Sequence, residues 1–137
     1  MTVMAPDEQE LSSGRILIKR GDIFWVRLDP SPDGSQQEHK LRPLVIIQND
    51  VGNEHSPWVI GVPCTTKKLD VIYPVDVFLP KGAGGLKKDS KALCNLIYTI
   101  PKTNLVEFMG HLDDWLMKKI DQALIISLAL ERYTTGL

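Results

Sequence analysis

The chain has 137 residues, enough for one domain around one moderate core, and nothing in its composition divides it. Its hydrophobic content of 43% is ordinary for a globular domain, and a formal charge of −1 carries no global sign of a nucleic-acid binder. No apolar run approaches the roughly 20 residues that cross a bilayer, two cysteines make no disulfide framework, and the start lacks the basic and apolar regions of a secretory signal. The expected location is the cytoplasm, with no membrane partner.

In chain order, residues 1–14 are polar, acidic and without periodicity, which marks a tail rather than an element. Residues 23–28 are rich in strand formers and stop at Asp29-Pro30, giving a first strand. The loop over 31–41 is long for a small domain, and connections of this length are usually functional or disordered. It leads into Arg42-Pro43. Proline removes a backbone donor and biases the residue before it towards an extended conformation, so Arg42 is expected where the loop feeds into a buried strand over 44–47. On residue types alone, a solvated surface arginine is the simpler reading.

Residues 49–56 read as a polar turn between antiparallel neighbours, 57–64 as a third strand, and 71–79, with Val71, Tyr73, Val75 and Val77 alternating, as a fourth. Residues 90–97 give a fifth strand, 101–105 a turn or short helical turn, and 107–112 a last short strand. Asp113 or Asp114 is expected to cap a helix running to Leu130, with its carboxylate near the first N–H groups. Leu116, Ile120, Ala123, Leu124 and Leu128 recur at helical spacing, so one stripe of that helix is expected to pack on the sheet. Short strands with a terminal helix make a small α+β barrel. Cys64 and Cys94, in apolar surroundings, are expected to be buried reduced thiols. Residues 64–91 hold six lysines, Lys67, Lys68, Lys81, Lys87, Lys88 and Lys91, against three acids, a local excess compatible with a short phosphate-contacting groove or with solvated loops.

Arg20-Gly21-Asp22-Ile23-Phe24-Trp25, Arg42-Pro43-Leu44-Val45-Ile46-Ile47-Gln48-Asn49-Asp50, Ile60-Gly61-Val62-Pro63-Cys64-Thr65-Thr66 and Gly110-His111-Leu112-Asp113-Asp114, followed by Ile126-Ser127-Leu128-Ala129-Leu130, stand in an order and approximate spacing that resembles the MazF/PemK family of toxin endoribonucleases. The likeness covers roughly residues 19–130. It implies an SH3-like antiparallel β-barrel with a C-terminal α-helix, of the MazF/CcdB-like type, over residues 19–137, with 1–18 as a disordered extension. It further implies a homodimer that cleaves single-stranded RNA without metal or other cofactor, leaving 2′,3′-cyclic phosphate and 5′-hydroxyl ends, and a cognate MazE-like antitoxin.

The family's catalytic pair falls on Arg42 and Thr65. Arg42 offers a planar fork of donors to phosphate oxygens, and Thr65 adds a hydroxyl; Thr66 is the neighbour that a one-residue change of register would put in its place. An arginine is a poor base, so its expected role is electrostatic. Ser35, Gln36 and Gln37 fall where the family carries a Ser-Glu-Gln segment over the RNA groove, and His39 and Lys67 are further candidate RNA contacts. His39 also has proton affinity near neutral pH. Asn95-Leu96-Ile97-Tyr98 departs from the family's Glu-Gln-Ile-Arg. Leu96 cannot hydrogen-bond a base, whereas Tyr98 can stack on one or simply pack in its strand. His111-Leu112-Asp113-Asp114 suggests a metal site only weakly, because the aspartates suit a helix start. Two other readings stay open at this point: a homologue that binds RNA or antitoxin without cutting, and a CcdB-like toxin that inhibits gyrase.

Overall fold

The structure, a computed structural model, describes residues 17–28 and 40–134. The expectations for the N-terminal tail up to residue 16, and for Ser35, Gln36, Gln37 and His39, lie outside the described residues. Seven strands, β1 (Asp22–Arg27), β2 (Leu41–Ile46), β3 (Trp58–Thr65), β4 (Asp76–Leu79), β5 (Ser90–Leu93), β6 (Tyr98–Pro101) and β7 (Leu105–His111), form an antiparallel sheet. Among the described residues three α-helices accompany them: α1 (Asp50–His55), α2 (Asp114–Ser127) and the short α3 (Glu131–Thr134). The sheet order is β4-β5-β3-β2-β1-β7, and β6 pairs with β3.

Strand β3 organises this arrangement. One edge pairs with β2 through Gly61 to Pro63, while the other edge pairs first with β6 through Trp58 to Gly61 and then with β5 through Cys64 and Thr65. The strand expected over 90–97 is therefore shorter, ending at Leu93 in a turn where the Leu96 N–H bonds the Leu93 carbonyl, and β6 is a further strand that the sequence reading did not contain.

Side chains alternate faces along a strand, and the register sorts them into two cores. Ile23, Val45, Val62, Cys64, Val77, Leu79 and Ala92 share one face and meet Leu116, Met117, Ile120 and Ala123 of α2. Phe24, Val26, Leu44, Ile46, Val59, Ile100 and Leu105 share the other, with Phe108 edge-on to Phe24 at 5.4 Å. Gly61 lies between the layers: a Cβ there would stand 2.5 Å from the Leu44 side chain and 2.8 Å from the Val45 carbonyl.

Four local expectations are corrected. Residues 50–55 are helical because Asn49 caps them, its side chain accepting from the Gly52 N–H at 2.8 Å. Strand β4 starts only at Asp76; the Asp76 carboxylate accepts from the Tyr73 N–H, and the Val71 carbonyl goes to Lys91 instead of a ladder. Asp113 occupies the N-cap position of α2 but makes no side-chain cap hydrogen bond. The same helix ends at Ser127, so Leu128 falls beyond the packed stripe and is 51% exposed, with Ala129 in the left-handed region closing the turn. The 3₁₀ turn Lys102–Asn104 agrees with the expectation for that segment.

Candidate active site

Arg42 is the second residue of β2, opposite Val26 of β1, rather than the last residue of a loop. The β2–β3 ladder runs Ile46 to Gly61, Val45 to Val62 and Leu44 to Pro63. Continued by two positions, the same register sets Arg42 against Thr65, both on the face of Leu44 and Pro63. Pairing stops short of them: Pro43 has no N–H to donate to β3. Beyond this end of the ladder opens a cavity of about 230 Å³ lined by Arg42, Thr65, Lys67, Lys68 and Lys91, with Cys64 and Leu93 as its apolar wall.

Each lining group is placed by a specific element. Thr65 ends β3, half-buried, and its hydroxyl oxygen accepts from the Lys67 N–H at 3.1 Å. A hydroxyl held through one lone pair still has its own O–H to donate. Lys91 faces Thr65 in register from β5, and Phe78 of β4 faces Lys91 in turn, so a row of side chains crosses three strands on the site's face. Arg42, Lys67 and Lys68 bring three cationic side chains to one small cavity, a lining suited to an anion, whereas the fourth cation, Lys91, is offset by the buried Asp76 carboxylate 3.6 Å away.

The cavity's sulfur is a spectator. Burial pushes the Cys64 thiol far above its ordinary value, with the nearby Cys94 thiol adding to the effect. Cys94 itself is pushed up to about 12 by burial and by the charges of Asp76 and Asp121. Both cysteines are free and buried, as expected, and neither is a ready nucleophile.

Tyr98 starts β6 half-buried opposite Gly61, on the face that also carries Ile46 and Arg42. Burial lifts its phenol above the ordinary value, and the positive charge of Arg42 pulls it part of the way back. It packs against the second core and does not line the cavity. Thr66 is exposed and outside the lining, whereas Lys67 is part of it. His111 lies at the other end of the fold from these groups in register terms, on β7 opposite Asp22, with its Nδ1 2.8 Å from the buried Asp22 carboxylate. Sequence reasoning counted Lys68 and Lys91 among the basic stretch but did not place them in the site. A lysine between Ser90 and Ala92 carries no local mark of burial; only its cross-strand neighbours reveal its position.

Comparison with known proteins places the chain in a family. The family model described as PemK-like, MazF-like toxin of type II toxin-antitoxin system matches residues 19–128. Endoribonuclease EndoA of Bacillus subtilis is 38% identical over 115 residues, covering 84% of this chain and 97% of that protein. A mycobacterial endoribonuclease solved in complex with its cognate antitoxin superposes with a TM-score of 0.68 at 23% identity, over 82% of this chain and 96% of that one. MazF from Deinococcus radiodurans superposes with a TM-score of 0.66 at 16% identity, over 82% of this chain and 97% of that one. These two similarities speak to the fold.

Proposed function

The chain belongs to the PemK-like, MazF-like toxin family of type II toxin–antitoxin systems, and on that premise we propose that it is an endoribonuclease acting on single-stranded RNA. The observation that carries this reading is the register that sets Arg42 against Thr65 at a cavity also lined by the exposed Lys67 and Lys68. The substrate's own 2′-hydroxyl gives up its proton to water as it attacks the adjacent phosphorus, the bond to the 5′-oxygen breaks and that oxygen takes a proton from water, and the products are a 2′,3′-cyclic phosphate and a 5′-hydroxyl. Arg42 holds two equatorial phosphate oxygens through its planar fork and stabilises the charge that builds on them. Thr65 donates its hydroxyl to a phosphate oxygen. With positive charge supplied by side chains, the reaction proceeds without a metal ion.

Ser35, Gln36, Gln37 and His39 are proposed RNA contacts from the loop before β2, joined by Lys67 and by Tyr98 as a stacking surface. Thr66 is a peripheral contact. The sheet closes as an SH3-like barrel around the Phe24–Leu44 core, and the domain expected over residues 19–137 begins one residue earlier, at Ile18, which is buried in that core. The protein works in the cytoplasm as a homodimer, and a MazE-like antitoxin neutralises it by laying an acidic segment over the cationic cavity.

The test is to incubate the protein with mixed RNA in EDTA and map the cut ends. Cleavage is expected to persist, with 5′-hydroxyl ends, and to vanish where deoxyribose precedes the cut. Loss with chelator that magnesium restores would contradict the metal-free mechanism.

A further inference from the structure

Lysine is seldom buried without a partner, yet the Lys91 side chain is 7% exposed and that of its partner Asp76 is 4% exposed. Its ammonium donates to the Lys68 carbonyl at 2.9 Å and to the Val71 carbonyl at 2.8 Å, and stands 3.6 Å from the Asp76 carboxylate. Asp76 in turn accepts from the Tyr73 N–H at 3.0 Å, while the Asp76 N–H bonds the Tyr73 carbonyl at 2.8 Å. Lys68 has a φ of 55°, in the left-handed region that a non-glycine residue rarely occupies. One buried node thus holds the backbone at residues 68, 71 and 73, and Thr65 holds the same segment at Lys67.

We propose that Lys91 is a positioning residue: neutralised by Asp76, its ammonium clamps the segment after β3 so that Lys67 and Lys68 stand against the phosphate cavity beside Arg42. Stability alone is a poor reason for such a pair, because well-packed apolar residues in place of a buried ion pair are often neutral or stabilising. What an apolar pair lacks is donors for the two loop carbonyls. Those carbonyls fix a left-handed residue whose side chain lines the cavity. The clamp rests on the reading of this cavity as an RNA site, and it adds that two of the cavity's cations are held there by a residue on another strand.

The test uses the full chain carrying Lys91→Met with Asp76→Asn, which keeps the side-chain stem and an acceptor for the Tyr73 N–H and leaves no unpaired buried charge. Circular dichroism and thermal melting establish that the variant is folded. Binding of a single-stranded 2′-O-methyl RNA, which cannot be cut, is then measured across a salt series. Each phosphate contact contributes a slope of about −0.7 in log K against log salt. Release of Lys67 and Lys68 is expected to make the slope shallower by about 0.7 to 1.4. On this background Lys67→Ala with Lys68→Ala should change the slope no further, whereas in the wild type it should. Trypsin cleavage after Lys67 and Lys68 in the native protein is the second readout, expected to quicken at least tenfold, on the order expected when a held loop is released. A folded variant with the wild-type salt slope and wild-type trypsin cleavage would overturn the clamp. Wild-type protein that binds no RNA at low salt would refute the RNA reading, and the assignment of the clamp to an RNA site with it; faster trypsin cleavage in the variant would still support the clamp itself.

Discussion

Gly61 couples stability to the proposed active site, and Gly61→Ala is the perturbation that tests this coupling. The backbone there needs no left-handed conformation, so alanine is not excluded by φ, and the unfolded chain alone would favour it by about 0.4–1 kcal/mol. Space decides the sign. The new Cβ would lie 2.5 Å from Leu44 Cγ, 2.6 Å from its Cδ2 and 2.8 Å from the Val45 carbonyl oxygen. Leu44 is fully buried, and the Val45 backbone is tied into ladders with both β1 and β3, so neither yields readily. Overpacking of this kind costs about 1–3 kcal/mol, and a net loss of about 2 kcal/mol is expected. For a chain of this size that lowers the melting temperature by about 6–10 °C. Leu44 is also two residues from Arg42, and its partner Pro63 is two residues from Thr65. Pushing β2 away from β3 therefore separates the proposed catalytic pair, and cleavage at a temperature where the variant is still folded should fall about tenfold, since small misplacements of catalytic groups are costly. Melting followed by circular dichroism and a single-turnover cleavage assay give both values. A variant that melts within about 1 °C of wild type would refute the packing argument.

Two further expectations concern titration. Because Arg42 holds the Tyr98 phenol down against the upward effect of burial, Arg42→Ala should raise the Tyr98 pKa; an unchanged or lower value in an ultraviolet titration against a Tyr98→Phe control would remove the proposed proximity. The two thiols give a stability prediction with a definite sign: folded Cys94 is pushed up to about 12 from an ordinary 9.0, and Cys64 is raised as well. The folded state therefore keeps protons that the unfolded chain releases, so this contribution is fully present below pH 9.0 and is lost as pH rises towards about 12. Denaturant unfolding across that range should show the decline, and Cys94→Ala should flatten it.

Most strands were legible from residues because apolar patterns bounded by Pro, Gly and Asn are local signals. β1, β3 and β7 fall within one or two residues of expectation. What escaped was set by contacts distant in sequence. Val71, Tyr73 and Val75 alternate like a strand, but the Val71 carbonyl is claimed by Lys91, 20 residues away. The segment over 90–97 reads as one strand, yet β3 passes from β5 to β6, so the strand stops at Leu93 and a separate strand starts at Tyr98. Helix α1 was a missed local signal, since Asn49 is a favoured N-cap residue. Arg42 and Thr65 were nameable only through family resemblance. That they stand at the same register position of adjacent strands follows from a ladder whose partners are 19 residues apart at Leu44 and Pro63, which no local pattern encodes.

The cleavage rate of Arg42→Ala on single-stranded RNA, beside Thr65→Ala and wild type, tests the central claim most directly. Loss of one pre-organised donor to developing charge costs about 2.7–4 kcal/mol at the transition state, so Arg42→Ala should cut at least about a hundredfold more slowly. Thr65→Ala should be impaired less, because a neutral hydroxyl makes a weaker hydrogen bond than a charged donor. Both residues are half-buried and outside the two cores, so both variants should keep the wild-type circular dichroism. A folded Arg42→Ala protein that cuts RNA at near the wild-type rate would contradict the assignment of the active site to the end of the β2–β3 ladder.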